Sequence, residues 1–432
     1  MTESNTSDRV LIVGAGAAGL TMAMNLREKG YNHVVVVEKT PEVGGKCHSL
    51  AYKGRNYDMG ANLTTPRYET IRPLAARLNL DLISMAERRL IALTDEAVPS
   101  PDDFSTTKAV LLRALSQWYI LMRNRSGVAQ NGYAGIGKGA RKPFKKWLKS
   151  RGLAPFRELF ANLFIAYGYG IMDELPAAYA LKFFDEVHMT AAVDTILGKE
   201  VTTTKVFADG FNALWVKVVE AFEIDVRLSV DVKTVTRDDA GVHATWTTAE
   251  GDTVSQDFDR LVLACGPDRA LSFLDATAEE LRLFAQLERY DYYVTAAVLK
   301  GVPDISTFLF PYSKQFNPGK PTVFYPPFPG DSNNVFMFYA YGDKHTNQEI
   351  VHAHIREVIA RPEFEGELVE IIATKHWKYF PHVNSRAMKQ GFYEDMEALQ
   401  GVNRTYIAGE AMSFTLVELI ARYSEDLVKN HF

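Results

Sequence analysis

The chain has few of the features that staple or anchor a protein. Its 432 residues include two cysteines, Cys47 and Cys265, with no CxxC spacing. That excludes a disulfide framework and an electron-transfer dithiol, and predicts two buried thiols in a reducing compartment. The ten histidines show no HExxH or comparable ligand spacing, so no metal site is expected. No apolar run reaches the length of a membrane span. The opening "MTESNTSDRV" lacks the apolar core of a secretory signal, so a cytoplasmic location is expected. Lys and Arg (48) do not outnumber Asp and Glu (53), and the net charge of −5 gives no reason to expect nucleic acid as a partner. A chain of this length predicts two or three domains.

What is present begins at residue 10. In "VLIVGAGAAGL" a short β-branched run, read as a buried parallel strand, stops at Gly14, Gly16 and Gly19 and resumes as a helix. Gly14 permits the tight turn and Gly16 lets backbone N–H groups approach a pyrophosphate. Gly19 lets the helix, opened by Ala17 and Ala18, pack close to the strand. The phosphate would meet the unpaired N–H groups at the positive helix end. A second strand, "HVVVVEK", reaches Glu38, 24 residues after Gly14, followed by Lys39. A carboxylate there accepts hydrogen bonds from both ribose hydroxyls and repels a 2′-phosphate. Strand, glycines, helix, strand and acid in this order predict a dinucleotide site.

Three further segments bear on which dinucleotide. "KTPEVGGKCHS" brings a second glycine turn, Gly44-Gly45, and places Lys46 near the pyrophosphate. "GRNYDMGANLT" reads as a strand ending at Gly60-Ala61, small enough to lie flat against a large planar ring. "RTYIAGEAMSFTLVELIARYSEDLV" runs strand, turn, helix, with Thr415 and Glu418 in capping-box spacing around Val417. Glu410 would accept a hydrogen bond from a polyol.

Together these pieces resemble the GR2-type FAD-binding proteins of the flavin amine oxidase and phytoene desaturase superfamily. Gly14, Gly16, Gly19, Glu38, Gly44, Gly45, Gly409 and Glu410 match its motifs. "VDVKTVTRDDAGVHATWT" with "FDRLVLACGP" is similar to its middle region, where the backbone at Val232 would meet adenine. The resemblance implies FAD as cofactor and an α/β fold: a GR2-type FAD-binding Rossmann domain with a mixed-sheet substrate domain and a helical lid. The FAD-binding domain is then discontinuous, at 1–80, 200–270 and 385–432, with the lid at 81–199 and the substrate domain at 271–384. Nine aromatic residues crowd the latter's strands: Tyr290, Tyr292, Tyr293, Phe324, Tyr325, Phe336, Phe338, Tyr339 and Tyr341. Alternation sends about half of them to a core, and the group suggests an apolar cavity.

A narrower resemblance rests on "GGKCHS", "YGYGIMDELPAAYALKFFD", "FADGFNALW", "WKYFPHVNS" and "YIAGEAMSF…YSEDLV". These are similar to the bacterial polyunsaturated fatty acid double-bond isomerases, which make conjugated linoleic acid from linoleic acid. The resemblance implies a lipid substrate and non-covalent FAD, whose N5 takes a hydride from the bis-allylic carbon and returns it at a shifted carbon. No protein side chain need act as a catalytic base. It also implies an arginine at the channel entrance that holds the carboxylate, corresponding to Arg89, with Arg88 able to share or take the role. Where that family has an aromatic gate, this chain has Ala191 and Ala192 in a longer segment. An FAD-dependent oxidase or desaturase of a lipid, polyene or amine is the competing expectation, since it shares the first half-reaction.

One charge feature stands apart. "GKGARKPFKKWLKSRG" gathers Lys138, Arg141, Lys142, Lys145, Lys146, Lys149 and Arg151 with no acid among them, after an amphipathic helix expected over 108–125. The run 108–151 is either a solvated basic face or a peripheral contact with anionic amphiphiles or membrane.

Overall fold

The computed structural model describes residues 6–85, 88–92, 116–117, 131–154, 157, 164–184, 204–304, 306–310, 317–362, 364 and 366–432. The runs Val10–Val13 and Val34–Val37 are buried at every position, as strands covered on both faces must be. They lie at the centre of a five-stranded parallel sheet. Its order is Thr405–Ile407, Arg260–Leu263, Val10–Val13, Val34–Val37, Asp225–Arg227. Alternate side chains feed two cores. Val10, Ile12, Val34 and Val36 meet helices Ala17–Glu28, Asn212–Ala221 and Val417–His431. Leu11, Val13, Val35 and Val37 meet the opposite layer, built on the antiparallel sheet Asp231–Arg237, Val242–Thr247 and Thr253–Phe258.

A second, six-stranded sheet is mixed. Its order is Glu367–His382, Glu288–Lys300, Val335–Gly342, Pro321–Tyr325, Ser306–Phe310, Arg88–Ala92, antiparallel except for the last pair. One face carries Tyr293, Phe324, Phe336 and Phe338 and is covered by helix Gln348–Ile359. The other carries Tyr292, Val294, Val323, Tyr325, Met337, Tyr339 and Tyr341. The aromatic strands therefore divide by parity, as alternation requires. Helices Phe144–Lys149 and Ala177–Phe183 belong to the same core cluster as Leu11, Val13, Val35 and Val37 of the parallel sheet.

Two expectations need correction. The span 81–199 is not purely a helical lid. Leu82–Ser84 pairs with Lys205–Phe207, and Arg88–Ala92 forms the edge of the six-stranded sheet. Both strands owe their conformation to partners more than 100 residues away, which local spacing does not reveal. The expected capping box is also absent. The C-terminal helix starts with Leu416 as its N-cap and has no side-chain cap, while Glu418 accepts from Thr70 N (2.9 Å) and Ile71 N (3.0 Å). Glu418 thus satisfies the start of a different helix, Ile71–Arg77, because packing brings that helix's orphan amides to it. Residues 108–115, 118–125, Ala191 and Ala192 lie outside the described residues.

Candidate active site

The glycine turns close on one another. Gly14 N donates to Val37 O and Gly44 N to Ala15 O, both at 2.8 Å, and Gly16 and Gly44 form an isolated bridge. A Cβ at Gly19 would stand 1.9 Å from Gly14 O, and one at Gly45 would stand 3.0 Å from Gly16 Cα. A Cβ at Gly16, by contrast, meets nothing nearer than 3.8 Å. Gly19 and Gly45 serve internal packing, whereas Gly16 leaves open space at the end of helix Ala17–Glu28, which has no side-chain cap.

That space is part of a cavity of about 800 Å³. Its lining collects Gly14, Gly16, Ala17, Ala18, Glu38, Lys39, Gly44, Gly45, Lys46, Gly60, Ala61, Val232, Gly409, Glu410 and Val417 from the three separate chain segments. Of the predicted cofactor set, Gly19 alone stays behind the wall, in the helix–strand contact. Glu38 accepts from Ala15 N (2.8 Å), Thr40 N (2.9 Å) and Thr40 Oγ1 (2.8 Å). A carboxylate offers about four acceptor sites, so capacity remains for a ribose hydroxyl.

Beyond the glycine turns the sequence reading missed a half-buried ionic chain. Lys46 Nζ pairs with Glu410 Oε1, which also accepts from Arg289 Nη1 at 3.0 Å, and Arg289 forks onto Asp268 at 2.6 and 3.0 Å. Two cations and two anions balance. Burial alone would raise Glu410, but Lys46 and Arg289 outweigh it and hold the carboxylate below its usual range. Glu410 is separated from Arg289 by 121 positions, so no spacing rule finds the pair. The one sequence signal was a lone arginine opening an apolar aromatic strand.

The cavity continues as an aromatic chamber. Of the nine aromatic residues singled out, Tyr292, Tyr325 and Tyr339 line it; Tyr293, Phe324, Phe336 and Phe338 pack under the covering helix. Tyr167, Tyr169 and Phe183, with Trp377 and Tyr379 of the long edge strand, join the lining. Tyr292 stacks on Tyr379 (5.3 Å) and Tyr379 on Tyr169 (6.0 Å), with Lys46 Nζ 5.7 Å above the Tyr379 ring. Burial pushes the hydroxyls of Tyr169, Tyr292 and Tyr379 well above their ordinary range, so they stay neutral. Cys47 and Cys265 also line the cavity, and burial pushes both thiols up to about 12.

The two candidate arginines are separated by register. Arg88 pairs with Ser306 and Arg89 with Thr307; Thr307 in turn pairs with Phe324, and Phe308 with Val323. Residues paired across strands share a face. Position 88 therefore falls on the face of Val323 and the chamber, and position 89 on the face covered by helix Gln348–Ile359. The side chains at 88–92 lie outside the described residues.

The cradle fits a flavin dinucleotide. Besides Gly16 and the uncapped helix, Thr415 Oγ1 lies buried at the cavity wall without a hydrogen-bond partner among the described residues, directly before the N-terminus of helix Val417–His431. An orphan hydroxyl and a helix N-terminus suit a ring that gains negative charge. Parallel sheet, glycine cradle and adjoining aromatic chamber define a flavoprotein. Residues 17–417 match the flavin containing amine oxidoreductases, and the chain belongs to that family, with FAD as its cofactor. A crystal structure of a CLA-producing fatty acid isomerase from P. acnes covers both chains completely at a TM-score of 0.90 and 30% identity. A polyenoic fatty acid isomerase of Ptilota filicina is 39% identical over 61 residues, 14% of this chain and 12% of that protein. A putrescine oxidase structure shares the fold at a TM-score of 0.73, with 16% identity over 98% of each chain.

Proposed function

We propose that the protein moves a double bond of a polyunsaturated fatty acid to give a conjugated diene. The observation that carries this reading is the chamber's lining. Among the described residues the carboxylates on the cavity wall either belong to the glycine-turn end or are held by cations: Glu38 and Glu42 flank the glycine turns, Asp231 pairs with Lys233, Asp268 with Arg289, and Glu410 with Lys46 and Arg289. Among those residues no unpaired carboxylate stands with the chamber aromatics to neutralise an ammonium group, as an amine substrate would require. The stacked tyrosines instead suit a hydrocarbon chain, and their faces favour positive charge spreading over a pentadienyl unit in a dry site. The neutral phenols supply no base. Bound FAD supplies a hydride acceptor that also returns the hydride, so no second cofactor is consumed. The similarity to the P. acnes isomerase supports the same substrate class. The register favours Arg88 over Arg89 as the carboxylate anchor, through a bidentate contact that Lys could not copy.

With linoleic acid under anaerobic conditions, conjugated-diene absorbance is expected without added NAD(P)H. Deuterium at the bis-allylic carbon should reappear in the same product molecule, less what exchanges with solvent. Hydrogen peroxide formed one-to-one with product in air would make the enzyme an oxidase.

Lys138, Lys142, Lys145, Lys146 and Lys149 are exposed on a turn and helix whose other side buries Phe144, Trp147 and Leu148. Arg141 is engaged by Glu394 and Arg151 lies over Trp147. This face is proposed as the peripheral contact with anionic membrane, from which a fatty acid substrate partitions.

A further inference from the structure

Among the described residues the chamber wall holds an uncharged polar cluster that the reaction above does not use. Asn62 Nδ2 reaches the hydroxyls of both Tyr325 and Tyr339, the latter at 2.8 Å, and the two hydroxyl oxygens are 2.8 Å apart. All three residues line the cavity, and both tyrosines are buried. Counting protons shows the cluster is not closed. The two amide protons go to the two hydroxyl oxygens, and one hydroxyl proton goes to the other oxygen. The remaining hydroxyl proton has no acceptor among the described residues. Turning the amide over spends hydroxyl protons on Asn62 Oδ1 but frees both amide protons instead. In either orientation a donor is left facing the cavity beside acceptor oxygens. A donor directed at the cavity takes its acceptor from whatever fills that space, and a ligand oxygen there would supply one.

The chemistry of the cluster selects the ligand oxygen. It contains no cation, and burial keeps both phenols neutral, so a carboxylate would enter it without charge compensation. A hydroxyl both accepts and donates one hydrogen bond, which is what the cluster offers. Its place is also intermediate along the chamber. Asn62 follows Ala61, on the cofactor side, while Arg88–Ala92 lies two strands beyond Pro321–Tyr325, roughly 10 Å away at the usual strand spacing. An acid group at position 88 and an oxygen at the cluster therefore fit one chain.

We propose that Asn62, Tyr325 and Tyr339 form a binding site for a mid-chain hydroxyl, so that the favoured substrates are hydroxylated polyunsaturated fatty acids. The inference rests on the fatty acid reading above. The test compares stearic acid with 10-hydroxystearic and 12-hydroxystearic acid, which have no bis-allylic carbon and cannot react. Binding to the holoenzyme is read from the change in the visible flavin spectrum. At least one hydroxy acid should bind about tenfold more tightly than stearic acid, the factor of one good buried hydrogen bond. Tyr325→Phe with Tyr339→Phe should bring that ratio to within about twofold, with FAD content unchanged as the check on folding. Equal affinities in the wild type, or a preference that survives the double substitution, would overturn the proposal. So would equal weakening of all three acids, which would place the carboxylate at the cluster. Failure of any acid to bind to FAD-loaded protein would instead remove the fatty acid reading, and this inference with it.

Discussion

Alanine at Gly16 and alanine at Gly19 should damage the protein in different ways, although the two glycines belong to one motif. At Gly19 the new Cβ would lie 1.9 Å from Gly14 O and 3.2 Å from Ala264 Cβ. Real Cβ atoms stay at least 3.0 Å away, so helix Ala17–Glu28 must move by more than an ångström against backbone. Overpacking of this kind costs about 1–3 kcal/mol, and a clash with backbone belongs at the upper end or beyond. At Gly16 the backbone is extended, φ −82° and ψ −174°, and the nearest atom is 3.8 Å off. Alanine loses a few tenths of a kcal/mol to about 1 as an N-cap but recovers about 0.4–1 through the unfolded chain, so the net change is near zero. The cost of Gly16→Ala should appear only when the cofactor enters, because its methyl occupies the cradle. Urea unfolding of the apoproteins should show Gly19→Ala destabilised and Gly16→Ala close to wild type. FAD titration of apo Gly16→Ala should show affinity lowered at least about tenfold. The reasoning fails if apo Gly16→Ala is as unstable as Gly19→Ala, or if it binds FAD like the wild type.

Three other outcomes are expected. Asp58 is buried and accepts from Ser49 Oγ (2.6 Å) and Phe211 N (2.8 Å), yet burial pushes its carboxyl from 3.8 up to about 7. Its contribution to stability is full below pH 4 and lost as pH rises towards 7, amounting to about 4 kcal/mol at most. Asp58→Asn, with its oxygen able to accept both bonds, should therefore gain stability over wild type across that window; parallel melting curves at pH 4 and pH 8 would refute this. Arg88→Ala should raise KM for a free fatty acid and spare its methyl ester, while Arg89→Ala should do neither. Equal losses on acid and ester would point to a structural role. Replacing Lys142, Lys145, Lys146 and Lys149 together by Gln should abolish sedimentation with phosphatidylserine vesicles at low salt without changing FAD content. Unaltered sedimentation would remove the proposed membrane face.

The local features were determined by sequence alone. Short aliphatic strands, the Gly14–Gly19 turn, Glu38 after the second strand and the Gly409-Glu410 turn depend on neighbours within a few residues. Steric freedom and β-branching act there regardless of the rest of the chain. Parity along the aromatic strands was equally legible, since pleating is local; which parity faced the chamber was not. Tertiary structure decided what depends on distant partners. Glu418 has the spacing of a cap for its own helix, but caps Ile71–Arg77 because packing delivers two unpaired amides within 3.0 Å. Arg289 is buried because Glu410 and Asp268 meet it there, from positions that sequence distance does not connect. The register of the outermost strand likewise separates Arg88 from Arg89. A one-residue step along a strand exchanges faces, and only pairing with Ser306–Phe310 fixes which face is which.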